Sequence, residues 1–347
     1  MEQQAPFFGE PCHDLLVKKI GQSLAFDPAR EYSTWKKEIK DKLYELTGLY
    51  EIEQNAAPDP ALCIESEEKK EGHTKIRFSF ASEIGTRVPC YLLIPDTGKE
   101  KCPVAITLQG HSTGFHNSVG EIKFEKDKDY QPRGQFGLQA VENGYISLCI
   151  EQRGMGERRP TCASRKGAQM CSYTALTAFM LGRTILGERM FDVSKAIDLL
   201  AHFPKCDTQK IFITGNSGGG TMTYYATCYD ERIQFCAPSC AFCSYQDSIL
   251  NIHHCSCNYI PNAYRYFEMQ DLACLIAPRP IAVIAGREDD IFPIEGVREG
   301  YKTLSSIYAA AGAPDACRLV ETPKNHWWCV DIVWETINAE VKRLGWK

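Results

Sequence analysis

The sequence predicts an α/β fold: a mostly parallel sheet with helices on both faces, a helical N-terminal extension and a lid-like insert. Three observations carry that expectation. Short, almost continuous apolar runs recur at Val104–Gln109, Tyr145–Glu151, Lys210–Thr214, Phe235–Pro238 and Pro280–Ala285, as strands buried on both faces require. Helical patterns separate them, which is the alternation of parallel sheets. Finally, the run Lys210–Thr214 passes through a glycine-rich turn straight into a helical segment.

The elements follow in order. Asp14–Leu49 has helical spacing at Trp35, Ile39, Leu43 and Leu46, and a polar stretch with prolines, Glu53–Pro60, follows it. Lys75–Ala81 and Arg87–Ile94 have strand character, the second stopped by Pro95-Asp96. The alternating part begins at Val104–Gln109, with helices expected at Gly134–Asn143, Tyr173–His202, Ser217–Cys228, Ile294–Ala311 and Cys329–Leu344. A last strand is expected at Cys317–Glu321. No proline- or serine-rich linker divides the chain, so the expected organisation is an extension (1–60) and one catalytic domain (61–347) with an insert at 240–271.

Composition narrows the function. Of 347 residues, 44% are hydrophobic and 24% charged, and the formal net charge is −5. Basic residues are dispersed, and runs such as Lys123–Lys128 mix both signs, so neither a nucleic-acid partner nor a membrane is expected. The N-terminus lacks a basic start followed by an apolar core. The 17 cysteines are odd in number and sit largely in apolar segments, which suits reduced thiols acting as small hydrophobes in a cytoplasmic protein. The sequence leaves homo-oligomerisation open.

The chemistry is signalled at strand ends. Gly215-Asn216-Ser217-Gly218-Gly219-Gly220 is G-x-S-x-G between a strand and a helix, a turn that lifts a serine hydroxyl above the sheet. No lysine stands at the position of a phosphate-binding loop. A serine nucleophile needs a histidine base held by a carboxylate. Glu288, Asp289 and Asp290 follow the strand Pro280–Ala285, and His326 is the one histidine beyond them. Asp289 is favoured over Asp290 by its spacing to Ile291-Phe292-Pro293, while one of the three acids is expected to cap the next helix. The oxyanion hole is expected from the N–H groups of Gly218 and of His111, with Gly110 as the other candidate. Pocket walls are expected from Gly110, Arg153, His254, Cys255 and Trp327, Arg153 having a stronger structural reading.

These motifs carry a resemblance. In order, Gln109-Gly110-His111, Gln152-Arg153-Gly154-Met155-Gly156, the run from Gly182-Arg183 to Asp192, Gly215–Gly220, Ile276–Pro280 and Gly286–Pro293 resemble the acetyl xylan esterase and cephalosporin-C deacetylase group of α/β hydrolases, akin to dienelactone hydrolases. The resemblance covers about residues 75–347. It implies an α/β-hydrolase fold, a Ser217–Asp289–His326 triad, oxyanion donors at His111 and Gly218, and a serine esterase that removes small acyl groups, acetyl above all, from a carbohydrate or similar alcohol. The group's best-known members carry Tyr where this chain has His111, and Gln where it has Gly218.

Two rival classes are a serine peptidase of the same fold and a non-catalytic binding protein on a hydrolase scaffold. The first lacks room for an added amine-binding domain; the second predicts a lost triad member. The insert holds Cys240-x-x-Cys243 and His253-His254-Cys255-x-Cys257, spacings compatible with zinc. The expectation is nevertheless a metal-free, cofactor-free enzyme, with this segment an aromatic, cysteine-rich lid.

Overall fold

A computed structural model describes residues 11–160 and 170–346. Nine strands form one sheet in the order β1-β2-β3-β5-β4-β6-β7-β8-β9. They are β1 (Cys63–Lys70), β2 (His73–Phe80), β3 (Val88–Pro95), β4 (Cys102–Leu108), β5 (Ile146–Ile150), β6 (Cys206–Asn216), β7 (Ile233–Ser239), β8 (Ile281–Gly286) and β9 (Cys317–Thr322). From β1 to β5 the pairing is antiparallel; β5, β4, β6, β7, β8 and β9 run parallel.

Alternation along each central strand feeds two cores. In β6, Ile211 and Ile213 face one and Phe212 the other; in β8, Ile281, Val283 and Ala285 oppose Ala282 and Ile284. The larger core receives helices α2 (Tyr32–Thr47), α3 (Leu49–Gln54), α6 (Ile185–Asp198), α7 (Gly218–Tyr229) and α8 (Ile294–Ala310). The smaller core is closed by α4 (Phe136–Glu142) and α9 (Val330–Arg343) through Phe136, Ala140, Val333, Trp334, Ile337 and Val341. Among the described residues, the remaining α-helices are α1 (Pro11–Lys19) and α5 (Met170–Met180).

Differences from the sequence reading have local causes. The helix expected over Asp14–Leu49 is broken: residues 20–31 form turns, and Glu31 starts α2 by accepting the Ser33 and Thr34 N–H groups. α2 ends at Gly48, whose φ of 76° suits a left-handed cap. The long helix expected over Tyr173–His202 is two, α5 and α6, because Gly182 has a φ of 72° and Thr184 caps the Gly187 N–H at 3.0 Å. β1 was not anticipated. Its sequence CIESEEKK has neither alternation nor an apolar run, because it is a largely exposed edge strand.

Trp35, Ile39 and Leu43 of α2 and Leu49 and Ile52 of α3 are buried in the same core as the sheet, so these two helices are part of that packing, whereas Leu15 and Leu16 of α1 are exposed. The segment 240–271 contributes Phe242, Cys243, Tyr245, Ile249, Ile260 and Phe267 to it as well. Glu268 accepts the N–H groups of Tyr245 and Gln246, and the Tyr225 and Tyr245 hydroxyls meet at 2.6 Å. Among the described residues, no helix is long and apolar enough to cross a membrane.

Candidate active site

Segments that follow the carboxyl ends of β4, β6 and β9 line one cavity, and the segment after β8 stands behind His326. β6 ends on Asn216, and Ser217 follows with φ 57° and ψ −126°, a backbone state that costs about 1–3 kcal/mol and persists only where the surroundings enforce it. The enforcement is visible. The Ser217 N–H donates to the Ser239 carbonyl at 2.9 Å, and the Ser217 carbonyl accepts from Thr221 N at 2.8 Å. The Ser239 hydroxyl holds the Asn216 side chain at 2.9 Å. α7 then leaves so close to β4 that a Cβ on Gly215 or Gly219 would lie 2.3 or 2.1 Å from the Leu108 carbonyl oxygen.

Burial separates the three acids. After β8, Asp289 is 6% exposed, while Glu288 and Asp290 face solvent. Asp289 Oδ1 accepts the N–H groups of Ile291 (2.9 Å) and Phe292 (3.0 Å), and Oδ2 lies 2.9 Å from His326 Nδ1. Burial alone would raise its pKa, but the His326 contact and the two N–H groups outweigh this and hold it below the usual aspartate value. An ionised Asp289 fixes the His326 proton on Nδ1. That leaves Nε2 as the acceptor, and it is buried without a hydrogen-bond partner among the described residues. Phe292 stacks on the imidazole with ring centroids 5.9 Å apart.

The loop after β4 lies against the elbow. A Cβ on Gly110 would sit 3.0 Å from Ser217 Cβ and 3.3 Å from Gly218 N. Gly218 N–H is the first of α7, so no carbonyl four residues earlier within the helix takes it. Behind the loop, buried Glu151 Oε2 accepts from Phe115 N (3.2 Å) and Glu157 N (3.1 Å), tying the segment after β4 to that after β5. Burial raises the Glu151 pKa to about 7. His116, buried with no role assigned from sequence, meets Asp127 at 2.9 Å. Asp127 also takes the Lys123 and Phe124 N–H groups, each at 2.7 Å. The charged run Lys123–Lys128 is therefore anchored to the site by one buried carboxylate.

The cavity that contains Ser217 and His326 is about 220 Å³, and Gly110, His111, Tyr130, Arg133, Phe136 and Trp328 help line it. That is below the ~300–1,000 Å³ of pockets for drug-sized ligands. Of the pocket residues expected from sequence, Gly110 lines this cavity and four do not. Arg153 is held by Glu83 (2.6 Å), Asp192 (2.8 Å) and Glu188 (3.2 Å), pinning α6 to the loop after β5. His254 is buried beside the Ser248 hydroxyl at 2.9 Å, and burial lowers its pKa to about 4. Cys255 borders a neighbouring cavity with His111 and Cys171. Trp327 is 42% exposed and covers the Arg133 guanidinium at 3.6 Å; its neighbour Trp328 is the lining residue.

Tyr130, Arg133, Phe136 and Trp328 were missed. The one available signal was an aromatic pair, Tyr130 and Phe136, flanking a cation in a polar stretch. The two cysteine motifs of the insert also part company. Cys240 Sγ lies 3.7 Å from the Trp327 carbonyl and Cys243 Sγ 3.8 Å from that of Pro293, whereas Cys255 and Cys257 gather with Cys171 and His111.

A mixed sheet with parallel strands at its centre, and a serine on a strained strand–turn–helix elbow, define an α/β hydrolase. The chain belongs to the Abhydrolase family, which it matches over residues 12–237. It is similar to YtaP of Bacillus subtilis (strain 168), a protein named as a hydrolase, with 28% identity over 244 residues, 70% of this chain and 78% of that one. The fold is shared with a Bacteroides fragilis NCTC 9343 protein described as an acetyl xylan esterase: TM-score 0.78, 16% identity, 95% and 94% of the two chains covered. It is shared too with a glucuronoyl esterase from Solibacter usitatus: TM-score 0.63, 16% identity, 87% and 93% covered.

Proposed function

We propose that this protein is a serine carboxylic ester hydrolase that removes small acyl groups, acetyl foremost, from a carbohydrate or similar alcohol. One observation carries the reading: Ser217 on its strained elbow shares a small cavity with His326, whose Nδ1 is bound to Asp289 and whose Nε2 has no hydrogen-bond partner among the described residues. Ser217 Oγ attacks the ester carbonyl while His326 Nε2 takes its proton. The oxygen of the tetrahedral intermediate draws on the N–H groups of Gly218 and His111. Collapse breaks the ester C–O bond as His326 returns the proton to the leaving alcohol, giving an acyl-enzyme. A water, deprotonated by His326, then attacks that acyl group, and the acid departs as Ser217 regains its proton.

The cavity's size favours a short acyl group, and the named activities of the structural neighbours favour a carbohydrate ester. Tyr130, Trp328 and the Arg133 cation would supply stacking and polar contacts to a sugar. A series of p-nitrophenyl esters of rising acyl length, run beside acetylated xylo-oligosaccharides, tests this. The expected result is a steep fall in kcat/KM beyond the shortest acyl groups and release of acetate from the oligosaccharide. Preference for long chains, or inertness to every ester, would overturn it.

A further inference from the structure

We propose that His111, Cys171, Cys255 and Cys257 form a structural zinc site that ties the oxyanion loop to α5 and to the insert. The four side chains come from three distant stretches of chain, yet their ligand atoms all lie within 4.8 Å of one another. His111 Nε2 is 3.4 Å from Cys257 Sγ. Zinc at the usual ~2.3 Å from sulfur and ~2.0 Å from nitrogen sets tetrahedral edges of about 3.8 Å between sulfurs and about 3.5 Å from nitrogen to sulfur. With every pair within 4.8 Å, closing on a metal needs a contraction of no more than about 1.3 Å along any edge. Three soft thiolates and one imidazole suit zinc and leave no open position, the pattern of a structural rather than a catalytic site.

The surroundings point the same way. Three thiolates and a divalent cation leave one negative charge, and the buried Arg189 guanidinium lies 3.0 Å from Cys171 Sγ, held there by the Arg153 carbonyl at 3.1 Å. The Ser172 hydroxyl lies 3.3 Å from Cys255 Sγ and accepts the Ser256 N–H at 3.2 Å. Such partners orient ligands and stabilise their charge. Met155, Ala175 and Ile185 close the apolar shell around the thiols. All three cysteines are free thiols.

The location gives the site its consequence. A metal on His111 Nε2 requires the proton on Nδ1, and this edge faces the start of α7, 3.3 Å from where a Gly218 Cβ would stand. The residue expected to supply the second oxyanion N–H would then be fixed on both sides: by Gly110 against the elbow and by its ring against the metal. This inference does not depend on the ester-hydrolase reading, because it concerns binding and stability alone. It also replaces the sequence expectation of a metal-free insert, whose Cys-x-x-Cys motif is not part of the cluster.

The test uses the full-length chain, expressed with zinc in the medium and purified under reducing conditions without chelator. Elemental analysis should find about one zinc per chain. Cobalt(II) added to the metal-stripped protein should give the visible bands of tetrahedral coordination with sulfur-to-metal charge transfer. Cys257→Ser should lower zinc content and shift the cobalt spectrum, whereas Cys240→Ser and Cys243→Ser should leave both unchanged. If Cys257→Ser fails to fold, zinc content and the cobalt spectrum of the unmodified chain decide. Zinc far below one per chain together with no cobalt bands would overturn the proposal. So would peptide mapping that finds Cys255 or Cys257 in a disulfide.

Discussion

Glu151→Gln should make the protein more stable at pH 8 while leaving it nearly unchanged at pH 4. Glu151 is 2% exposed and accepts two backbone N–H groups through Oε2, and burial raises its pKa from 4.5 to about 7. A folded-state value above the unfolded one means that the stability it contributes is complete below about pH 4.5 and is lost as pH rises to about 7. The rise of roughly 2.5 pKa units corresponds to about 3 kcal/mol by the usual conversion. Glutamine keeps a carbonyl acceptor for Phe115 N and Glu157 N and carries no charge to desolvate, so it escapes that loss. Thermal melts of both proteins at pH 4.5, 6 and 8 provide the assay, with the Tm difference expected to open across that range. A difference that stays flat, or a variant that is less stable at pH 8, would show that Glu151 is ionised and satisfied in the fold.

Two further outcomes are expected. Asp289→Asn should lower kcat by about 10⁴-fold, because a neutral amide no longer fixes the His326 tautomer. Asp290→Asn, at an exposed position, should stay near wild type, and the reverse order would move the acid to Asp290. Gly219→Ala should destabilise the protein by at least about 1–3 kcal/mol of overpacking, since its Cβ would fall 2.1 Å from the Leu108 oxygen. Gly21→Ala, with nothing within 4 Å, is the matched control; equal melting temperatures for the two variants would contradict the close approach of α7 to β4.

Much of the scaffold was legible because buried parallel strands announce themselves. Val104–Gln109 and Pro280–Ala285 carry almost continuous apolar runs, since both faces of β4 and β8 are covered. The elbow was legible for a related reason: glycines at 215 and 219 are demanded by contact with Leu108, so geometry is written into residue type. Of the three neighbouring acids, spacing favoured Asp289, and burial singles it out. β1 was illegible because an exposed edge strand needs no apolar pattern. Arg133 and Trp328 reach the cavity from separate loops whose meeting only the tertiary fold determines. The same holds for the cluster of His111, Cys171, Cys255 and Cys257. Cys255-x-Cys257 invited a local partner in Cys240-x-x-Cys243, but the chain brings His111 and Cys171 there instead, across sequence gaps that no spacing rule spans.

The central claim is that Ser217 is the nucleophile, activated by His326. A fluorophosphonate probe reacts covalently with such a serine, and intact-mass and peptide mass spectrometry locate the adduct. One adduct per chain on Ser217 is expected, with labelling abolished in Ser217→Ala and slowed by several orders of magnitude in His326→Ala, because triad members act as a unit. Both variants should melt as cooperatively as the parent. Labelling that persists in a folded Ser217→Ala protein, or an adduct on any other residue, would contradict the account.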